Sequence, residues 1–174
     1  MHSPLVVILM GSRSDLEHAQ AVIRALEELG LDWELRVASA HKVPDYLLDL
    51  LREYEADPRP KVYITIAGRS NALSGMVDGQ VLAPVIACPP ISETFAGADV
   101  FSSLRMPGGI APAVVLDPAG AALLAAKILG LRDETIRQRV ATLQARGRQR
   151  LLADDAEVRA LRSAAQGDSG RGRG

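Results

Sequence analysis

Cysteine is nearly missing from this 174-residue chain: Cys88 is the single one. No intrachain disulfide and no cysteine-rich zinc site can form, and such thiol usage fits a reducing compartment. Aromatic residues are scarce, with one Trp, three Tyr and two Phe, which leaves little surface on which bases could stack. Neither sign of charge is in excess. Against 20 Lys and Arg stand 21 Asp and Glu, a formal net charge of -1 at pH 7, so there is no general field to hold a polyanion. These absences read against nucleic acid as a partner. No apolar run approaches the roughly 20 residues that a membrane span needs, and Met1-His2-Ser3-Pro4 has no basic leader region. The expectation is a cytoplasmic protein without membrane contact.

What is present is enough for a core. Of the chain, 48% is hydrophobic, and a domain of this size buries roughly 70% of the surface that its unfolded chain exposes. Leu5-Val6-Val7-Ile8-Leu9-Met10 is uninterruptedly apolar, as a parallel strand covered on both faces would be. Residues 15–29 follow with Leu16, Ala19, Val22, Ile23, Leu26 and Leu29 at helical spacing, and Gly30 ends them. Residues 33–38 predict a second strand, a helix through Tyr46, Leu47, Leu50, Leu51 and Tyr54 runs to the breaker Asp57-Pro58, and 62–67 predict a third strand. Residues 84–88 and 113–116 predict a fourth and fifth, with helices over 119–129 and 134–152. Alternating strands and helices imply an α/β domain with a central parallel sheet. One domain accounts for residues 1–162, and the small, Gly-rich residues 163–174 are expected to form a flexible tail.

In such sheets ligands bind outside the carboxyl ends of the strands, where three polar turns stand. Gly11-Ser12-Arg13-Ser14-Asp15 either caps a helix or offers its amides and hydroxyls to a phosphate. It is neither a dinucleotide fingerprint nor a P-loop. In Ser39-Ala40-His41-Lys42, His41 is the one side-chain type that titrates near neutrality and suits a proton shuttle. No ligand cluster at metal spacing accompanies it. Lys42 is either a solvated charge or a holder of phosphate or carboxylate. His2 and His18 read as solvated. In Ala67-Gly68-Arg69-Ser70-Asn71, Gly68 permits a tight turn or close approach, and Arg69 offers a planar fork of donors to an anion. Cys88 reads as a buried small hydrophobe, since no base lies near it in sequence, and residues 91–112 as a functional loop region.

With Ala87-Cys88-Pro89-Pro90 and Ser102-Ser103-Leu104-Arg105-Met106-Pro107, these turns make the sequence resemble the phosphoribosylaminoimidazole carboxylase family of purine biosynthesis over residues 5–160. It is more similar to the direct, carbon-dioxide-using class than to the mutase class, which normally has Arg where Lys42 stands and a histidine-bearing third turn. The resemblance implies a flavodoxin-like three-layer sandwich in a homo-oligomer, commonly an octamer, with a tetramer as the alternative. It implies reversible carboxylation of 5-aminoimidazole ribonucleotide by carbon dioxide to the 4-carboxy product, with no cofactor and no metal. His41 matches the family's proton-transfer histidine. By the same resemblance Ser12 and Asp15 should meet the ribose and phosphate region, Ser39 and Lys42 the phosphate, and Gly68 and Ser70 the aminoimidazole or carboxylate end. The alternatives are a mutase moving a carboxyl group from the exocyclic nitrogen to C4, and a non-catalytic phosphosugar-binding module.

Overall fold

The computed structural model describes the backbone of residues 3–168 and the side chains of residues 3–161. Five parallel strands form one sheet: β1 (Leu5–Met10), β2 (Asp32–Val37), β3 (Lys61–Ile66), β4 (Val85–Ala87) and β5 (Ala113–Val114), in the order β2-β1-β3-β4-β5. That order belongs to a flavodoxin-like three-layer α/β sandwich. All six residues of β1 are buried, so its alternating side chains feed two separate cores. Val6, Ile8 and Met10 meet Ala19, Val22 and Leu26 of α1 (Leu16–Glu28) and Ala121, Ala122 and Ala125 of α5 (Pro118–Leu129). Leu5, Val7 and Leu9 meet Leu47, Leu50, Leu51 and Tyr54 of α2 (Pro44–Ala56) and Leu73 and Val77 of α3 (Ala72–Asp78).

The register puts the ligand end of the sheet on one level. Met10 pairs with Val37 on one side and with Ile66 on the other. The ladder runs one bond further in each case, as Ala38 N–H donates to Met10 O and Gly11 N–H to Ile66 O, both at 2.9 Å. The first three turns therefore leave the sheet side by side. Strand order reverses around β1, since β2 lies to one side of it and the later strands to the other, and there a crevice opens.

Three elements differ from the sequence reading. No helix was expected in residues 72–78, because Gly75 weakens the signal, yet α3 forms there with the Asn71 side chain accepting from Ser74 N–H as its cap. The last helix, α6 (Glu134–Asp168), runs past residue 152. Its outer part has no amphipathic pattern to read, because residues 147–161 are exposed almost throughout. Of the expected tail, residues 163–168 continue that helix in backbone and 169–174 lie outside the described residues. Within residues 91–112 stand two single 3-10 turns and the short α4 (Phe101–Leu104).

If β1 carries both cores, truncating it is costly. Leu9 is fully buried, so Leu9→Ala should lose about 2–5 kcal/mol and Leu9→Met less than about 1.5 kcal/mol, read from urea midpoints at unchanged slope. A near-neutral Leu9→Ala would contradict this placement.

Candidate active site

The first turn is ordered from within. Ser12 is in extended conformation, its Oγ accepts from Ser14 N–H at 3.2 Å, and Asp15 Oδ2 accepts from Ser12 N–H at 3.0 Å. This reciprocal capping box satisfies two free amides and aims the Asp15 carboxylate back at the turn. Burial raises Asp15 above the usual carboxylate range, opposed by the Ser12 amide and then by the charges of His18 and Arg69.

The second turn leaves β2 through Ala38 and is drawn in by Lys42 N–H donating to Ser39 Oγ at 3.3 Å and Val43 N–H to Ser39 O at 3.0 Å. His41 and Lys42 stay exposed. Pro44 then opens α2 at a position where its missing N–H costs nothing.

The third turn passes close to its neighbours. A Cβ on Gly11 would lie 3.2 Å from Ala67 Cβ, and one on Gly68 would lie 3.2 Å from Pro90 O. Any larger residue at either position would push the walls apart. Behind it lies a buried polar network: Thr65 Oγ1 and Ser74 Oγ are 2.8 Å apart, and Asn71 Nδ2 donates to Ser74 Oγ at 2.7 Å and to Ser103 Oγ at 2.8 Å.

The three turns and the start of the loop after β4 enclose a cleft of about 340 Å³, within the range of small-molecule sites. Every residue singled out in the sequence as catalytic or substrate-binding lines it: Ser12, Asp15, Ser39, His41, Lys42, Gly68 and Ser70, with Arg69 among them. Ser14, Pro90, Ile91 and Ser92 line it too and were not singled out. Pro90 stands in the motif Ala87-Cys88-Pro89-Pro90, and Ile91 and Ser92 open the segment read as a functional loop, but no signal within it picked out these positions. Lys42 and Arg69 against Asp15 give the wall an excess of positive charge, suited to an anionic group. Among the described residues no group of three or more His, Cys, Asp or Glu is arranged to hold a metal ion.

His18 departs from the expectation of a solvated side chain. It is half-buried, with Nε2 3.3 Å from Cys88 Sγ, because one turn beyond Asp15 it faces the end of β4, seventy residues away in sequence. Burial holds its imidazole below the ordinary value, against the Cys88 contact and the Asp15 and Asp117 carboxylates. Cys88 is fully buried, as expected. Burial, with Asp117 adding to it, pushes the thiol up to about 12, so at neutral pH the pair is a thiol beside a neutral imidazole and not a reactive thiolate.

The chain as a whole is similar to known proteins. The family described as AIR carboxylase matches residues 5–150. A phosphoribosylaminoimidazole carboxylase of Treponema denticola is 53% identical over 156 residues, 90% of this chain and 98% of that one. One from Archaeoglobus fulgidus is 48% identical over 153 residues, 88% of this chain and 84% of that one. The crystal structure of Treponema denticola PurE superposes with a TM-score of 0.87 at 53% identity, covering 88% of this chain and 98% of that one. No described helix is long and apolar enough to cross a membrane. Because the family match runs from the first residue of β1 into α6, taking in the whole sheet and all three turns, the chain belongs to the AIR carboxylase family.

Proposed function

We propose that this chain is a phosphoribosylaminoimidazole carboxylase that joins carbon dioxide directly and reversibly to C4 of 5-aminoimidazole ribonucleotide. The observation that carries the reading is the meeting, in one cleft, of His41 and Lys42 with a third turn, Gly68-Arg69-Ser70-Asn71, that holds no histidine. The names of the relatives support it. Residues 1–162 act as one catalytic unit, in a cytoplasmic homo-oligomer, an octamer or the smaller tetramer.

The mechanism asks little beyond positioning and one proton transfer. In the substrate the exocyclic amine feeds electron density into the ring and makes C4 nucleophilic. That electron pair forms the new bond to the carbon of carbon dioxide, while a C–O π pair moves onto oxygen and completes the carboxylate. C4 then bears both hydrogen and carboxylate. A ring nitrogen of His41 takes the proton, and the pair of the broken C–H bond returns to the ring and restores its aromaticity. The reverse direction protonates C4 and expels carbon dioxide. Lys42, with the Ser39 hydroxyl, holds the phosphate, and Ser12 and Asp15 hold the ribose and its link to the phosphate. Gly68 and Ser70 face the aminoimidazole end, where carbon dioxide must be held beside C4.

Three measurements test this. Incubated with the ribonucleotide and bicarbonate, the protein should form the 4-carboxy product at a rate that rises with dissolved carbon dioxide and is indifferent to ATP and chelators. Rapid use of the N-carboxylated isomer with negligible use of the free ribonucleotide would make it a mutase instead.

Loss of the ammonium in Lys42→Ala removes a charge-assisted contact worth about 1.5–3 kcal/mol, so KM for the ribonucleotide should rise about 10- to 150-fold. The dephosphorylated nucleoside should be a poor substrate that hardly notices the substitution. Equal proportional losses on both would place Lys42 away from the phosphate.

For His41→Asn, kcat should fall about 100- to 10,000-fold, the scale of general acid–base catalysis, with ligand affinity and melting temperature little changed. Near-wild-type turnover by the folded variant would remove His41 from the chemistry.

A further inference from the structure

Arg69 has a positive φ of 60°, a left-handed conformation that is strained for a non-glycine residue and persists only where the surroundings impose it. Arg69 and Ser70 are exposed, so side-chain packing contributes little. The turn that carries Arg69 and Ser70 is a thin wall, with the catalytic cleft on one side and a second cleft of about 440 Å³, lined also by Phe95, Ala98, Asp99 and Ser102, on the other.

Hydrogen bonds from one short segment hold it instead. Arg69 N–H donates to Asp99 Oδ2 at 3.1 Å, and Arg69 O accepts from the Ser102 hydroxyl at 3.0 Å. Asn71 N–H donates to Ser102 Oγ at 3.0 Å, and the one Ser102 hydroxyl proton is shared between Arg69 O and Asp99 O, the latter 2.8 Å away. The neighbouring Ser103 is buried and accepts from Asn71 Nδ2. Three backbone groups of the turn are thus fixed by side chains some thirty residues further on, in a segment none of whose members lines the catalytic cleft. Among the described residues the Arg69 guanidinium makes no ion pair, which leaves it free for an anion.

We propose that Asp99 and Ser102 are positioning residues for the carboxylation: they hold Arg69 in its left-handed conformation, so that its guanidinium and the Ser70 hydroxyl face the end of the cleft where the carboxylate forms. This rests on the carboxylase reading and deepens it, since it assigns the carboxylate to Arg69 and gives the Ser102-Ser103 motif a task. By that reading the phosphate is held by Ser39 and Lys42, which the clamp does not touch, so the clamp affects turnover far more than nucleotide affinity.

The test is steady-state carboxylation of 5-aminoimidazole ribonucleotide at fixed carbon dioxide by the purified full-length chain. Asp99→Ala and, independently, Ser102→Ala should lower kcat about 10- to 100-fold, the scale of a reacting group displaced by about 1 Å, with KM for the ribonucleotide within about 3-fold of wild type. Asp99→Asn keeps an acceptor oxygen for Arg69 N–H and should recover most of the loss. In an Arg69→Gly background, which needs no clamp and has no guanidinium to aim, Asp99→Ala should change kcat by less than about 2-fold. Wild-type kcat in both alanine variants, an Asn variant as impaired as the Ala one, or the same proportional loss in the Arg69→Gly background would overturn the proposal. Absence of carboxylation by the wild-type chain would overturn the carboxylase reading itself, a distinguishable result.

Discussion

Burial of β1 on both faces is the constraint from which the rest of the molecule follows. A strand whose six side chains are all buried needs helices above and below it, and α1 with α5 on one face and α2 with α3 on the other supply them. Because both faces are apolar, sliding the strand by one residue would expose no polar group to the core, and hydrophobicity alone does not define the register. The backbone does. The bonds that run past the strand ends, from Ala38 to Met10 and from Gly11 to Ile66, lock three neighbouring strands to a common end. A slip of one residue would displace a turn by roughly 3.3 Å, enough to take a hydroxyl out of reach of a phosphate. The site is thus as well aligned as the ladder that ends beneath it.

What was legible in the sequence is what is local. The apolar run of β1, the helical spacing of Leu47, Leu50, Leu51 and Tyr54, and the polar residues that interrupt each pattern at a strand end all lie within a few positions of one another. They were enough to place three turns at one end of a sheet. What was not legible depends on distant partners. The contact of His18 with Cys88 joins residues seventy apart, and the periodicity of α1 leaves His18 on a flank whose partner it cannot name. The same is true of α3, whose cap Asn71 belongs to a buried cluster with Thr65, Ser74 and Ser103. The outer half of α6 is illegible for the opposite reason: with no described partner there is no periodicity to detect.

The titratable groups around the cleft are sorted by depth. Cys88 and His18 lie below it, where burial keeps the thiol protonated and the imidazole neutral. His41, Lys42 and Arg69 stand at the surface, where they can change partners with each molecule bound. Asp15 lies between these layers and is held by the Ser12 amide and by the charge of Arg69. Neutral groups beneath and mobile charges above give a site that recognises an anion without a fixed buried ion pair to break, so the large desolvation cost of such a pair is avoided.

The close approach of the first and third turns has a consequence for how such a sequence can drift. Positions 11 and 67 share one volume, since a methyl group on Gly11 would stand 3.2 Å from that of Ala67. An alanine at 11 would require the Ala67 methyl to give way by a few tenths of an ångström, and a glycine at 67 would relieve that contact. The two positions, more than fifty residues apart along the chain, are coupled through that contact, and a chemist who enlarges one turn for a new ligand inherits the other as a partner.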